Sequence, residues 1–351
     1  MKIAAVPESL LERLMTVAGL VPTPLVETFH AVIVARAIMV ATKLGVFDAV
    51  ATTPQQVQVI AERLGVNERA LGKLLNVLVA IGYLQVLDNR YLATQLARRW
   101  LLGDNPRSLH DNILLRFLEW EAIGATEQFV RTGKSLDVHE QIQDDQLGIY
   151  QRGMRSLARL SAGEVARRVR LAERASTMLD VGGGHGTYSV VFCRRHARLK
   201  AVVLDLPRAI QSATSLLEQE QMGERVTHWS GDALTANLGN GEWDLIFMSH
   251  LVHHFDLASN RDLTRRAGRA LRPGGVLAIL EALRPASSTR CSQTGALLDL
   301  YFAITSNAGT WSREEITGWF DEAKLEPRKP IFLRSAPGLT VLSATKTGGN
   351  R

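Results

Sequence analysis

The sequence predicts an α/β protein in which a doubly wound, mostly parallel sheet follows a mainly helical N-terminal region. From residue 175 onward, short apolar runs alternate with helical segments, which is typical of a sheet covered by helices on both faces. The expected strands are residues 176–181, 200–206, 225–229, 243–248 and 276–282. Residues 330–334 and 340–345 flank Pro337-Gly338 and predict a closing antiparallel pair. Ligands of such sheets bind beyond the carboxyl ends of the strands.

The N-terminal region begins with a long amphipathic helix, predicted from apolar residues at three-to-four spacing between Ala31 and Val50. A short helix is predicted over residues 54–64, with Thr53 as its N-cap, and a second over residues 67–81. A hairpin of residues 83–87 and 90–94 follows. Helix, turn, helix and a two-stranded wing together predict a winged-helix unit.

A winged-helix unit can either read DNA or pack against protein. A DNA-reading second helix needs several polar side chains that reach the major groove. This one offers only Arg69, Lys73 and Asn76, while leucine, valine and isoleucine cover most of its circumference. Packing or dimerisation is therefore the favoured interpretation, and no nucleic-acid partner is predicted.

Composition and charge narrow the class of protein. The chain has 351 residues, of which 46% are hydrophobic and 22% charged, so a sizeable core is expected. Cys193 and Cys291 lie far apart, which argues against a disulfide framework and favours a reducing compartment. The net charge of +6 is spread along the chain. The apolar stretch from Ala31 to Val46 contains Arg36 and Lys43 and is short for a membrane span. No membrane partner and a cytoplasmic location are predicted.

These patterns divide the chain into three parts. Residues 1–108 form the winged-helix domain, residues 109–174 form a helical bridge, and residues 175–351 form the domain with the doubly wound sheet.

The motif with the most chemical content runs from Asp180 to Gly186, with the sequence DVGGGHG. It follows a predicted strand and precedes a helix, and its glycines let the backbone turn sharply and approach a ligand closely. The next strand ends at Asp205, where an acidic side chain can bind ribose hydroxyls. These features predict a nucleoside cofactor and leave open whether it is a dinucleotide or S-adenosylmethionine.

Later segments add further motifs: Gly231-Asp232-Ala233 after the third strand, the residues 249–255 with the sequence SHLVHHF after the fourth, and LRPGG at 271–275 before the fifth. With DVGGGHG and Asp205-Leu206-Pro207, this combination resembles the class I S-adenosylmethionine-dependent methyltransferases. More narrowly, it resembles the plant caffeate-type and bacterial natural-product O-methyltransferases over nearly the whole chain. The resemblance implies S-adenosylmethionine as cofactor and a homodimer formed through the winged-helix domain.

The resemblance also implies roles for residues at the cofactor site. Gly182 and Gly184 would lie beside the methionine moiety, and Asp205 would bind the ribose hydroxyls. An alternative role for Asp205 is the N-cap of the helix that Pro207 begins. The remaining implied cofactor contacts are Leu206 against the adenine, Asp232 and Ala233 near the adenine, and Ser249 at the far edge of the cofactor.

His253 matches the catalytic histidine of the family, and Glu281 matches a glutamate that orients it. A phenol has an ordinary pKa of ~10, whereas a histidine near ~6.5 can accept its proton at neutral pH. The alternative for His253 is a hydrogen-bonded structural histidine. Two departures from the family stand out: His254 and Phe255 replace the aspartate and tryptophan that commonly follow the base, and Thr310 or Trp311 replaces a second glutamate.

Histidines at 250, 253 and 254 also raise the possibility of a metal site, because imidazoles bind several transition metals. The segment is predicted to be a strand end followed by a loop, and the sequence shows no compelling carboxylate or cysteine partner. No metal is therefore predicted. The candidate acceptor-binding residues, by resemblance to a bridge-helix motif or by position, are Tyr150, Met154, His254, Trp120 and Phe302, for which core packing is the alternative role.

Together these observations predict a homodimeric methyltransferase that acts on a hydroxyl of a small, aromatic secondary metabolite. The departures at 254 and 310–311 keep three other functions open: C- or N-methylation of a related acceptor, a different reaction at the same cofactor site, and a winged-helix regulator that senses a nucleoside ligand.

Overall fold

A computed structural model describes residues 4–136, 138–284, 287, 292–306 and 308–348. Within these residues the chain forms two compact units, residues 2–117 and 118–351. The predicted three-part division remains a prediction, and each compact unit is described by itself.

The first unit is mainly helical, as predicted. Its helices are α1 (Leu10–Val17), α2 (Thr23–Leu25), α3 (Ala31–Leu44), α4 (Val46–Ala49), α5 (Val57–Leu64), α6 (Glu68–Ala80) and α7 (Gln95–Trp100), with a π-helical turn at Val26–His30. The hairpin strands are β1 (Leu84–Leu87) and β2 (Arg90–Ala93). Helix α8 (His110–Gly124) begins at the end of this unit.

Two boundaries in this unit differ from the prediction. The long helix over residues 31–50 breaks at Gly45, which adopts a left-handed φ of 77° and ends α3. Helix α5 starts three residues later than expected, after Gln56 rather than after Thr53. Gln55 explains the delay, because its backbone exchanges hydrogen bonds of 2.9 and 2.7 Å with Tyr91 of β2 and is therefore extended.

The core of the first unit lies between α6 and its neighbours. Leu71, Leu75 and Leu78, one helical turn apart, are buried from α6 and pack with Phe47 and Ile60. The apolar side of α6 thus contributes to the core, which agrees with the packing role predicted for this helix.

Helices α2 and α3 and the π turn between them form one helical stretch, Thr23–Leu44. This stretch of 22 residues has a mean hydropathy of 1.6 in its most apolar window, so its length and composition would allow it to cross a membrane. Only 17% of that window is buried in the described structure. Exposed apolar side chains here and on α1 include Leu10, Leu11, Leu14, Phe29, Val32 and Ile33.

The second unit has the predicted doubly wound sheet. Its strands are β3 (Thr177–Val181), β4 (Lys200–Asp205), β5 (Val226–Ser230), β6 (Trp243–Ser249), β7 (Leu271–Ala282), β8 (Leu325–Pro327), β9 (Ile331–Phe332) and β10 (Leu339–Lys346). Its helices are α9 (Thr126–Thr132), α10 (Val138–Gln141), α11 (Asp144–Arg168), α12 (Thr187–Arg195), α13 (Pro207–Glu218), α14 (Leu257–Ala270), α15 (Gln293–Thr305) and α16 (Arg313–Glu322), with 3₁₀ turns at Gly223–Arg225 and Val252–His254.

Among the described residues the strand order is β5-β4-β3-β6-β7-β10-β8, with β9 paired to β10. Strands β3 to β7 run parallel, and β10 runs antiparallel to β7. The order reverses at β3, which lies between β4 and β6, so the ends of β3 and β6 border the crevice where ligands of such sheets bind.

The antiparallel pairing predicted between residues 330–334 and 340–345 is confirmed, since β9 pairs with β10 at two positions. The longer partner of β10 is β7, with residues 339–345 opposite 276–282. The apolar stretch Val341–Ala344 is buried between β7 and β8, which a two-stranded hairpin would leave half exposed.

Apolar side chains cover both faces of the sheet. On one face, α11 and α12 pack over β3, β4 and β6 with Val165, Phe192 and Phe247 in the core. On the other face, α14 and α16 pack with Leu263, Ile316 and Phe320. The buried Cys193 of α12 is a free thiol, and Cys291 lies outside the described residues.

Candidate active site

The glycine loop after β3 has a backbone that only glycine accommodates. Gly182, Gly184 and Gly186 have φ values of 70°, 44° and 67°, in the left-handed region. A Cβ on Gly182 would lie 2.7 Å from Leu251 Cδ1, and one on Gly184 would lie 2.8 Å from the Gln151 Oε1 atom of α11. Conformation and close approach thus both require glycine at these two positions.

Asp205 connects this loop to the end of β4. Its Oδ2 accepts a hydrogen bond of 2.8 Å from the Gly184 N–H, and its Oδ1 accepts one of 2.8 Å from the Leu206 N–H. Burial raises the pKa of this carboxyl, although both hydrogen bonds oppose the rise. The N-cap of α13 is Leu206 and not Asp205, so the capping role considered for Asp205 is not seen. The Leu206 side chain beside it is 47% exposed.

Asp232 and Ala233 lie just after β5, the strand next to β4. The Asp232 Oδ1 accepts a hydrogen bond of 2.8 Å from Leu234 N–H, and the Ala233 carbonyl accepts one of 2.7 Å from the Arg266 guanidinium. These bonds hold the turn after β5 at the same edge of the sheet as Asp205. Ser249, the last residue of β6, has its hydroxyl next to the buried Tyr188 phenol.

Two groups of the glycine loop were not predicted as site residues. The fully buried Asp180 accepts a 2.7 Å hydrogen bond from the Ser189 hydroxyl, and burial raises its pKa to about 7. Its carboxylate lies under Gly183, where a Cβ would be 2.5 Å from the Asp180 Cγ. Asp180 therefore supports the loop from below, a role for which the DVGGG motif was an available signal.

His185 is the second unpredicted group. Its Nδ1 accepts a hydrogen bond of 3.1 Å from Thr187 N–H, and its ring also contacts the Met154 backbone of α11. Burial, followed by the positive charges of Arg155 and Arg159, lowers the pKa of His185 to about 3. A neutral imidazole thus ties the glycine loop to α11. No feature of the sequence reveals this contact, because it joins residues 31 positions apart without a motif.

His253 and Glu281 come together at the ends of neighbouring strands. Glu281 is the second-last residue of β7, and His253 lies in the 3₁₀ turn after β6. Both side chains are buried, and the His253 Nδ1 lies 3.1 Å from each carboxylate oxygen of Glu281. Although burial raises the pKa of Glu281, the charge and hydrogen bond of His253 and the charge of His250 bring it below its ordinary value. Since an ionised carboxylate only accepts hydrogen bonds, Nδ1 carries a proton, and in the neutral form of the ring Nε2 then presents a lone pair.

Aromatic and polar contacts fix the orientation of the His253 ring. The Phe302 ring of α15 lies 4.0 Å away, centroid to centroid, at 30°, and the His254 ring lies 4.2 Å away. The Val252 carbonyl of the same turn accepts hydrogen bonds from the Trp311 indole at 2.9 Å and from the Asn260 amide at 2.8 Å. The turn that carries His253 is therefore held from several sides.

Thr310 and Trp311, which replace the second glutamate of the family, form other contacts. Thr310 donates its hydroxyl hydrogen bond to Asp299 of α15, and its N–H donates to the same oxygen at 3.3 Å. Trp311 bonds the turn of His253, as described above. Asp299 lies one helical turn before Phe302, so it brings to this side of the site a carboxylate that sequence reasoning missed.

His250 lies at the end of β6 with a left-handed φ of 51°, which is uncommon for a residue other than glycine. Its Nδ1 is 3.9 Å from the Glu281 Oε2, so one carboxylate faces two imidazoles. Burial lowers the pKa of His250, although Glu281 opposes the effect. The sequence seemed to offer no carboxylate partner for these histidines, and the fold supplies one from residue 281, 31 positions beyond His250.

The predicted acceptor-binding residues divide into two groups. Phe302 and His254 lie against the His253 ring, as described above. Tyr150 and Met154 lie half-buried on α11, and the Met154 backbone contacts His185 of the glycine loop. Trp120 lies half-buried on α8, with no contact to the other candidates established.

Comparisons with known proteins agree with this geometry. Residues 124–323 match the O-methyltransferase domain, and residues 26–103 match the O-methyltransferase dimerisation domain. The chain is 26% identical over 321 residues to the 3-hydroxy-5-methyl-1-naphthoate 3-O-methyltransferase of Streptomyces sahachiroi, covering 87% of this chain and 90% of that protein. It is 26% identical over 320 residues to the mitomycin biosynthesis 6-O-methyltransferase of Streptomyces lavendulae, covering 86% and 88%.

Solved structures show the same fold. The human N-acetylserotonin methyltransferase in complex with S-adenosylmethionine superposes with a TM-score of 0.82 at 18% identity, covering 98% of this chain and all of that one. Similarity to solved structures extends over both compact units.

Proposed function

The chain belongs to the O-methyltransferase family, and on that premise we propose that it methylates a hydroxyl of a small aromatic metabolite with His253 as general base. The enzyme class, an O-methyltransferase that uses S-adenosylmethionine, follows from the family. The acceptor class and the base are the proposal. Its main support is the buried His253–Glu281 pair beside Phe302, at the sheet edge where ligands bind.

The residues around the glycine loop fit the cofactor. Gly182 and Gly184 add no side chain of their own to the loop, which lets a methionine moiety approach its backbone. Each Asp205 oxygen accepts one protein hydrogen bond and keeps a lone pair for a ribose hydroxyl. The half-exposed Leu206 offers an apolar surface for the adenine. Bound S-adenosylmethionine supplies an activated methyl group at its sulfonium.

His253 would remove the proton of the acceptor. A phenol with an ordinary pKa of ~10 is mostly un-ionised at neutral pH, so its oxygen becomes a good nucleophile only as it loses its proton. The Nε2 lone pair accepts that proton, and the ring becomes a cation. Glu281 stabilises the cation through the Nδ1–H bond already present. The proton of the acceptor thus ends on His253.

The surroundings of the base favour an aromatic acceptor. Phe302 and His254 present rings beside His253, and aromatic rings pair well in tilted or offset arrangements. Met154 would add an adaptable apolar contact from α11. By their names, one relative acts on a hydroxynaphthoate and another takes part in mitomycin biosynthesis, and secondary metabolism is the proposed setting here.

The first unit is proposed to form a homodimer in a soluble, cytoplasmic enzyme. Its residues 26–103 match the dimerisation domain of the family. Phe29, Val32 and Ile33 expose apolar side chains to solvent on one helical stretch. Exposed apolar patches mark interaction sites, and a second copy of the chain would cover this one. Light scattering on the wild type and on an Ile33→Lys variant tests this, with a shift toward monomer expected for the variant.

The activity is tested with purified enzyme, S-adenosylmethionine and a panel of phenols, with methylated products identified by mass spectrometry. Matched anilines and carbon nucleophiles distinguish O- from N- and C-methylation. For the best acceptor, His253→Ala should lower kcat by roughly 10²- to 10⁴-fold, while calorimetry gives an unchanged Kd for S-adenosylmethionine. Turnover by His253→Ala at the wild-type rate would exclude His253 as the base.

A further inference from the structure

We propose that His250, His253 and Glu281 form a binding site for a divalent transition-metal ion of the zinc class, and that an ion bound there stops catalysis. The binding rests on the three side chains alone. Its effect on turnover rests on the proposed role of His253.

The three side chains already surround a common point. One donor atom of each lies within 4.8 Å of the donor atoms of the other two. The Glu281 Oε2 is 3.1 Å from the His253 Nδ1 and 3.9 Å from the His250 Nδ1. Ligand bonds of ~2.0–2.2 Å to tetrahedral zinc place donor atoms roughly 3.4 Å apart. The His253–Glu281 pair is thus near its final spacing, and closure requires a shift of about 1 Å on the side of His250.

His250 is the ligand most able to make that shift. Its side chain is 22% exposed, whereas those of His253 and Glu281 are each 3% exposed. It lies at the end of β6, and because it is partly exposed, an ion from solvent would contact it before reaching the buried pair. His253 and Glu281 are held by Phe302 and by strand β7, so they form the fixed part of the site.

The donor set selects the kind of ion. Two imidazole nitrogens and one carboxylate oxygen suit zinc, cobalt, nickel and copper better than magnesium or calcium, which prefer oxygen ligands. Three protein ligands leave at least one coordination position for water, as in catalytic zinc sites. The nearby His254 is outside the cluster, because its donor atoms do not meet the same distance limit among the described residues.

Binding at Nδ1 would disable His253 as a base. In the metal-free arrangement Nδ1 holds a proton and donates it to Glu281, which leaves the Nε2 lone pair toward the acceptor. A neutral imidazole that binds metal through Nδ1 carries its remaining proton on Nε2. The proton moves from one ring nitrogen to the other, none is gained or lost, and the acceptor then faces an N–H instead of a lone pair.

Direct binding is tested first, on full-length protein without a histidine tag and in buffer without chelator. Cobalt titration followed by visible absorption, and zinc titration by calorimetry, should both give one site per chain. His250→Asn removes one ligand yet suits the left-handed backbone, and it should weaken binding by at least roughly tenfold. The matched variant His110→Asn changes a half-buried histidine outside the cluster and should bind both ions like the wild type. Equal affinities for wild type and His250→Asn would overturn the site.

Activity is tested second. Zinc should lower kcat of the wild type without changing the Kd for S-adenosylmethionine, and a chelator should restore the rate. His250→Asn should require at least roughly tenfold more zinc for the same inhibition. Binding at the site without inhibition would reject the inhibitory role and count against His253 as base. Inhibition that is equally strong in His250→Asn would place the inhibitory ion elsewhere and overturn the proposal.

Discussion

The candidate ligand site has two different parts. The part at the end of β3 is formed by the backbone of the glycine loop, whereas the part at the ends of β6 and β7 is formed by ionisable side chains. The glycine loop depends on left-handed φ angles and on the absence of Cβ atoms at Gly182 and Gly184. The proposed acid–base corner consists of His253, in the turn after β6, and Glu281 of β7, and it depends on the distance between these two side chains.

This difference predicts that damage in the two regions has different kinetic consequences. In the proposed function, Gly182, Gly184 and Asp205 contact the cofactor before and during the reaction, so their substitution should appear mainly in its Kd. His253 and Glu281 would form an interaction that strengthens as the proton moves, so their substitution should appear mainly in kcat.

After His253→Ala, the largest effect is expected for Glu281→Gln. The amide keeps the shape of the side chain but no longer stabilises the histidine cation, so kcat should fall on the order of 10²-fold. The Kd for S-adenosylmethionine from calorimetry should be unchanged. Glu164→Gln is the matched control, since Glu164 is also a buried carboxylate but serves the backbone of residues 334–335. It should lower stability and leave kcat nearly unchanged.

A smaller effect is expected for Asp205→Ala, and it should appear in the Kd for the cofactor and not in kcat. Loss of a charged acceptor for the ribose hydroxyls should raise the Kd for S-adenosylmethionine roughly 10- to 100-fold. At saturating cofactor, kcat should stay close to the wild-type value. A large fall in kcat at saturation, with little change in Kd, would contradict the separation of the two regions.

His185→Asn tests whether the contact between the glycine loop and α11 contributes to stability and to acceptor binding. The shorter side chain should lose the contact to the Met154 backbone, and the free energy of unfolding should fall by about 1–3 kcal/mol. Because Met154 would move, the KM for the acceptor should rise more than the Kd for the cofactor. Urea unfolding and steady-state kinetics measure the two quantities. Unchanged stability would show that the His185 bonds are replaced by water.

The last prediction concerns the pH dependence of stability. The pKa of Asp180 is about 7 in the folded protein against 3.8 for an ordinary aspartate, so between these values the folded state holds a proton that the unfolded state has lost. The contribution of this group is therefore complete below about pH 4 and is lost as the pH rises through about 7. Asp180→Asn should show a smaller decrease in unfolding free energy between about pH 5 and pH 8, measured by urea denaturation without cofactor. An unchanged decrease would assign the pH dependence to other groups.

The cofactor region was the more predictable from sequence, for a physical reason. DVGGGHG, Asp205 and the strand pattern are local signals, because a tight turn after a buried strand demands glycine regardless of the rest of the fold. The sheet itself was predicted because alternation of strands and helices is local too. The pairing of β10 with β7 was not predicted, since pairing between distant strands leaves no local pattern.

The corner was less predictable. The approach of His250 to Glu281 and the contact of Asp299 with Thr310 depend on the register of β6 and β7 and on where α15 packs. The same holds for His185 and Met154. Family resemblance suggested His253 and Glu281, but it offered no reason to pair His250 with the same carboxylate.

The pairing of β7 with β10 has a consequence for the newly made chain. Thr340 is the cross-strand neighbour of Glu281, and the two partners lie 59 positions apart in the chain. The neighbouring strands β3 and β4, with the glycine loop, can assemble while the ribosome is still adding the later segments, since domains begin to fold during synthesis. Glu281 gains its cross-strand neighbour only after β10 has been synthesised. If Glu281 orients the base as proposed, the catalytic corner is therefore completed later in synthesis than the glycine loop.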